Sequence, residues 1–186
     1  TQVFLSHAES DQAITEKIRQ TLMRESFTTW THRTDIKTGT EFQAEINQGI
    51  EEADNVVYLI SSDSLRSTYC QQEINYALSL NKRIIPLLIE AIDLQEIPST
   101  LRALQFINFT EHQDEDQYQT SANKLLNVLN QDAPYYDQHK ILLAKALKWK
   151  QQNRNPSILL RGYNLRHSET WLKVAKQRTQ HSPIPL

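Results

Sequence analysis

The sequence predicts an α/β fold: a flavodoxin-like five-stranded parallel sheet of order 2-1-3-4-5 with helices on both faces, plus a C-terminal helical hairpin. Three observations carry that expectation. Five short apolar runs alternate with helical patterns through roughly the first 130 residues, as in repeated strand–helix units. The runs are continuous rather than alternating, Val56-Val57-Tyr58-Leu59-Ile60 above all, as expected of strands covered on both faces. Finally, 39% apolar and 23% charged residues are ordinary globular values, while only 3 Gly and 6 Pro argue against a turn-dense all-β chain.

The elements follow in order. Gln2-Val3-Phe4-Leu5-Ser6 is too short for a helix and reads as the first strand. From Asp11 to Arg24, Ile14, Ile18, Leu22 and Met23 recur at helical spacing, with Ser10 or Asp11 placed to cap. Phe27 to Thr31, aromatic and β-branched, is the second strand, and the polar run His32 to Thr40 is a loop. Phe42, Ile46 and Ile50 mark a helix from about Glu41 to Asp54. The third strand, Val56 to Ile60, is closed by Ser61 and Ser62, and a helix follows through Leu80. Arg83 to Ile89 is the fourth strand. Leu94 to Leu104 is weakly helical around Pro98, Gln105 to Phe109 is the fifth strand, and Ser121 to Leu129 is a helix.

Charge divides the chain. Residues 1–133 hold 10 Lys/Arg against 20 Asp/Glu, whereas residues 134–186 hold 10 Lys/Arg against only Asp137 and Glu169. The step predicts a domain at 1–133, a basic amphipathic helical extension at 134–180 and a linker at 181–186, with opposite charges helping the first two to dock. In the extension, Pro134 to Gln152 carries Ile141, Leu142, Leu143, Leu147 and Trp149. Asn155-Pro156-Ser157 breaks it, and Ser157 is placed to cap a second helix holding Leu159, Leu160, Tyr163, Trp171 and Val174. These apolar faces are expected to pack on each other; a membrane surface is the weaker alternative. Charge alone does not make nucleic acid an expected partner. No apolar run is long enough to span a membrane. One Cys excludes a disulfide framework and a Cys-rich zinc module and suits a reducing, cytoplasmic compartment. The six His show no metal-ligand spacing, so no metal is expected. The start at Thr1 and the proline-containing end read as a piece of a longer protein.

In a 2-1-3-4-5 sheet, ligands bind beyond the carboxyl ends of strands one and three, where the strand order reverses. That places the site near Ser6-His7-Ala8 and Ser61-Ser62, with the helix after strand three beside it. On that helix Cys70, Ile74 and Ala77 face the sheet, and Glu73 borders the same face. Two readings of Glu73 stay open: a bland one, as a helix-surface acid or one satisfied by a loop N–H, and a sharp one, as an acid kept at the crevice for chemistry. Trp30 is either core or a border of the site, and Cys70 is a small packing residue. A phosphoacceptor receiver on the same sheet needs an aspartate at the end of strand three, where Ser61-Ser62 stands. No GxxxxGK or GxGxxG phosphate loop occurs.

Three segments together carry a family resemblance. Val3-Phe4-Leu5-Ser6-His7 is similar to the first box of the Toll/interleukin receptor (TIR) domain family. Arg33-Thr34-Asp35-Ile36-Lys37-Thr38-Gly39 resembles the loop after its second strand. Ser61 to Glu73, with Ser67-x-x-Cys70-x-x-Glu73, resembles the family's S…S-x-W-C-x-x-E segment. The resemblance covers about residues 1–130.

It points to the bacterial NAD-cleaving type and implies NAD+ as substrate, cut at the nicotinamide–ribose bond, with Glu73 catalytic and no cofactor. It implies substrate contacts at Ser6, His7, Ala8, Trp30 and Tyr69, and self-association through the loop of Asp35, Lys37 and Gly39. The sequence departs from the family's pattern at His7-Ala8, where an aromatic and a basic residue are usual. Tyr69 replaces the usual Trp and keeps an aromatic wall; Thr38 replaces the loop's usual Pro and leaves it looser. The implied function is an NAD+ glycohydrolase, or a cyclase if an internal acceptor replaces water, activated by TIR–TIR self-association in bacterial immune or cell-death signalling. A sensor region beyond the C-terminus is the expected control. The alternative is a non-catalytic TIR scaffold for homotypic assembly.

Overall fold

The computed structural model describes residues 1–31 and 40–186, with side chains described from residue 43 onward in the second of these stretches. Five parallel strands form one sheet of order β2-β1-β3-β4-β5: β1 (Gln2–Ser6), β2 (Thr28–Thr31), β3 (Asn55–Ile60), β4 (Arg83–Leu88) and β5 (Ile107–Asn108). The helices are α1 (Gln12–Arg24), α2 (Thr40–Glu52), α3 (Ser62–Arg66), α4 (Thr68–Ser79), α5 (Ser99–Arg102), α6 (Glu115–Asn130), α7 (Ala133–Gln151) and α8 (Gly162–Ala175). The expected sheet order is the observed one, and the C-terminal helices are present.

Side chains alternate across each strand, so one strand feeds both faces. Val3, Leu5, Val57 and Leu59 pack with Ile14, Ile18 and Leu22 of α1 and Leu125 and Leu129 of α6. Phe4, Val56, Tyr58 and Ile60 pack on the opposite face with Ile46 and Ile50 of α2, Cys70, Ile74 and Ala77 of α4, and Leu143 of α7. Trp30 closes the outer edge of this second face. Its ring stacks on Phe4 with centroids 5.2 Å apart and lies flat on Gly49 of α2. A Cβ at position 49 would sit 2.7 Å from the indole, so glycine there sets the helix–strand distance.

Several boundaries differ from expectation, each for a local reason. The helix after β3 is two helices, because Ser67 is extended and its hydroxyl caps α4 at Cys70 N. Ser61 and Ser64 form a reciprocal capping box on α3. Neither Ser10 nor Asp11 caps α1 with its side chain: Asp11 ends a 3-10 turn (Glu9–Asp11), and its carboxylate is taken by Ser61. Pro98 splits the weakly helical stretch into a 3-10 turn (Leu94–Glu96) and α5. The fifth strand shrinks to two residues. α6 starts six residues earlier than expected, where Asp114 accepts from Gln117 N.

The basic extension lies on the second face of the sheet unit. Lys140 of α7 bridges Asp54, which lies between α2 and β3 and is almost fully buried, at 2.9 Å. Arg83, at the start of β4, reaches across the junction of α6 and α7. Its guanidinium donates to Asn55 Oδ1 (2.7 Å) and to the carbonyls of Gln131 (3.0 Å) and Leu129 (3.4 Å), and it lies 3.9 Å from the Tyr136 ring centroid. The C-terminal segment folds back: Tyr135 Oη donates to the His181 carbonyl (2.6 Å) and Asn81 Nδ2 to that of Ser182 (2.6 Å). The second helix of the extension is not capped by Ser157. Ser157 sits in a 3-10 turn (Pro156–Ile158) capped by Asn155, and α8 begins only at Gly162, whose φ is +56°. Leu159, Tyr163 and Val174, expected to pack, are exposed.

Two imidazoles make this docking acid-sensitive. Burial, with Lys82 and His181 nearby, holds His139 of α7 down to about 4; burial with Arg83 and Arg178 does the same for His181. An unfolded imidazole near 6.5 binds a proton that the folded one refuses, so stability is lost as pH falls from 6.5 toward 4. We expect His139 to remove on the order of 1–2 kcal/mol between pH 7 and pH 5. His181 adds a smaller loss of the same sign, because it is more exposed to screening solvent. Thermal melts across that range, compared with His139→Gln, check this; the variant should melt with a flatter pH profile.

Candidate functional site

β1 and β3 are neighbours whose connections leave in opposite directions, so a crevice opens at their carboxyl ends. Register places Ser6 beside Tyr58. Ser6 and Tyr58 point to the second face, toward the first turns of α4. There Ser6 Oγ donates to Glu73 Oε2 at 2.6 Å, with both groups buried. Glu73 is 1% exposed, so the helix-surface reading of this acid is overturned. Its place follows from the cap: Ser67 sets the start of α4, and the inward face of Cys70, Ile74 and Ala77 carries Glu73 with it.

Neighbouring groups share this environment. Cys70 is buried beneath it, and burial raises its thiol pKa, with the Glu73 charge adding to the rise. That thiol is therefore a packing group rather than a nucleophile. Burial likewise raises the Tyr58 phenol, and Cys70, Glu73 and Asp11 push the same way.

The other expected site residues are placed unequally. His7 is 8% exposed, so it is not the solvent-facing histidine that a strand end allows. Ala8 is buried, and its carbonyl accepts from Asp11 N at 3.0 Å. Tyr69, in the first turn of α4, is 52% exposed. Trp30 pairs in register with Phe4, two residues short of Ser6, and its ring is engaged by Phe4 and Gly49, which favours the core reading. Asp35, Lys37 and Gly39 lie outside the described residues.

An acidic rim at the same edge was missed in the sequence. Asp11 Oδ2 accepts from Ser61 Oγ (2.5 Å), Asp63 Oδ2 from Ser10 Oγ (2.7 Å), and Glu90 from Ser62 N and Oγ (2.8 and 3.0 Å). Burial raises the Asp11 pKa, and the charges of Asp63 and Glu90 raise it further against the Ser61 hydrogen bond. Each acid falls within a few residues of a strand's carboxyl end, and that was the available signal. The rim gives this mouth a negative potential, which favours a cationic centre. Among the described residues, no group of three or more His, Cys, Asp or Glu is arranged to hold a metal ion. No helix of the described residues is long and apolar enough to cross a membrane.

A five-stranded parallel sheet of order 2-1-3-4-5 with helices on both faces defines a class of doubly wound α/β domains. Within that class the chain belongs to the TIR domain family, whose model matches residues 3–126. The TIR domain of the Toll-related receptor TRR-2 from Hydra magnipapillata aligns with a TM-score of 0.57 at 20% identity, over 68% of this chain and 96% of that one. The CMP N-glycosidase BcmB of Clostridium botulinum aligns with a TM-score of 0.50 at 20% identity, over 67% of this chain and 98% of that one. At such identities these likenesses concern the fold. A search of curated proteins gave no match.

Proposed function

We propose that the chain is an NAD+ glycohydrolase that breaks the nicotinamide–ribose bond, with Glu73 as the catalytic carboxylate. The observation that carries this reading is the buried Ser6–Glu73 hydrogen bond at the switch point, 2.6 Å long, which orients one acid where the fold binds ligands. It is supported by the fold's likeness to a CMP N-glycosidase, which acts on the same class of bond.

The chemistry asks little of the protein. Nicotinamide in NAD+ is cationic and takes the electron pair of the breaking C–N bond as it leaves, so it departs neutral without a general acid. The ribosyl cation left behind needs negative charge close to its anomeric carbon, which Glu73 supplies. Water adds to that carbon, and its proton passes to Glu73 and then to solvent. The products are ADP-ribose, nicotinamide and a proton; an internal adenine nitrogen attacking instead of water yields cyclic ADP-ribose. Ser6 fixes the carboxylate, the acidic rim favours the cationic end of the substrate, and His7, Ala8 and Tyr69 are the proposed contacts around it, while Trp30 serves the core against Phe4 and Gly49. No cofactor takes part. Self-association through the loop of Asp35, Lys37 and Gly39 raises activity under a sensor region, within a cytoplasmic bacterial immune or cell-death response.

The test is a panel of N-glycosides with the 186-residue chain, following free base by chromatography. Nicotinamide from NAD+, with no cytosine from CMP, is the expected result. Cytosine release with NAD+ untouched would move the substrate to a pyrimidine nucleotide. Inertness toward every member would favour the scaffold.

A further inference from the structure

The basic extension carries far more charge than its own copy neutralises. Of the ten Lys/Arg in residues 134–186, only Lys140 and Arg178 pair with a carboxylate among the described residues. The other eight are exposed. Their partners in sequence are few, since the extension's acids are Asp137, taken by Lys140, and Glu169. On α8, Arg166 and Lys173 lie seven residues apart and so share one face, and Tyr163, one turn before Arg166, is 76% exposed. An aromatic ring among exposed cations is a surface suited to an acidic protein partner.

The matching charge stands on the carboxyl-end edge of the sheet. The connections that leave β1, β4 and β5, residues 7–11, 89–98 and 109–114, hold seven Asp/Glu and no Lys or Arg. Among them Glu9, Glu96 and Glu111 are exposed, and their side chains make no ion pair or hydrogen bond among the described residues. The extension does not reach these acids in its own copy. It is anchored instead at the amino ends of β3 and β4, where Lys140 meets Asp54, the Ser182 carbonyl meets Asn81 and the Tyr136 ring meets Arg83. Within one copy, therefore, the two charged surfaces stay apart and unmatched.

We propose that the basic face of α8 in one copy, with Arg161, Arg166 and Lys173, docks on the acidic carboxyl-end edge of a second copy, at Glu9, Glu96 and Glu111. The contact joins unlike surfaces, so each copy offers one of each to its neighbours. It uses none of residues 32–39, and it needs no reading of what the crevice cleaves. Its strength is electrostatic, with Tyr163 adding apolar contact, and added salt screens it.

The test follows the mass of the 186-residue chain by analytical ultracentrifugation. Mass should rise with concentration in about 50 mM NaCl and fall to that of one copy in about 500 mM. Two triple variants neutralise one surface each: Arg161→Gln, Arg166→Gln, Lys173→Gln on the extension, and Glu9→Gln, Glu96→Gln, Glu111→Gln on the edge. Thermal melts confirm that both are folded. Each variant alone should need at least tenfold more protein to associate. An equal mixture of the two should form 1:1 pairs and stop there, because only one basic and one acidic surface remain to meet. A mixture no more associated than its components would overturn the pairing of unlike surfaces. A single copy at every concentration, or association that salt and both variants leave unchanged, would overturn the proposal. A chain that stays single but sediments with phosphatidylserine–phosphatidylcholine vesicles, and ceases to with the extension variant, would overturn it in favour of an anionic membrane surface.

Discussion

Glu73→Gln is expected to lower nicotinamide release by at least about a hundredfold while leaving the chain folded. Gln keeps the size of the side chain and an oxygen that accepts from Ser6, so the 2.6 Å contact has a substitute. It removes the full negative charge, which is what stabilises a ribosyl cation. The melting midpoint should stay within about 4 °C, the shift that roughly 1 kcal/mol gives a chain of this size. Steady-state rates beside thermal melts check both halves. Activity within threefold of the unsubstituted chain would take Glu73 out of the chemistry and leave it a structural acid.

Arg83→Ala is the substitution expected to cost most in stability, about 3–5 kcal/mol. The guanidinium serves Asn55, Leu129 and Gln131 from a buried position and covers the Tyr136 ring, so its loss strands three acceptors and opens the packing between β4 and α7. A midpoint lower by roughly 10 °C should follow. Lys will not rescue it, because an ammonium lacks the planar fork that reaches several acceptors at once. Arg178→Ala is the control. Arg178 pairs with Asp132 at 2.9 Å near the surface and lies over Tyr135, so its loss should cost under about 1 kcal/mol. Equal losses from the two variants would contradict this ranking.

The sheet was readable because its signal is periodic. Continuous apolar runs such as Val56 to Ile60 have one interpretation in a chain that alternates strand and helix, and order 2-1-3-4-5 follows from length. Glu73 was readable as a place, three residues past Cys70 on the inward side of a helix, but its burial was not. Burial depends on Ser6 arriving from a strand 67 positions away. The acidic rim was hidden for the same reason: Ser61 to Asp11 and Ser62 to Glu90 join segments that have no local pattern in common. The late start of α8 was also hidden. Ser157 makes an acceptable cap in sequence, yet Asn155 takes its N–H and ends the turn after three residues. In the extension, apolar spacing located helices but not their partners, so Tyr163 and Val174 counted as core although they face solvent.

NAD+ turnover by the 186-residue chain, held at high density on beads so that neighbouring copies touch, is the most direct measurement. Nicotinamide and ADP-ribose, linear or cyclic, should accumulate in equal amounts and faster than for the same protein dilute in solution. Unchanged NAD+ over folded, densely packed protein would contradict the enzyme reading and leave a TIR scaffold.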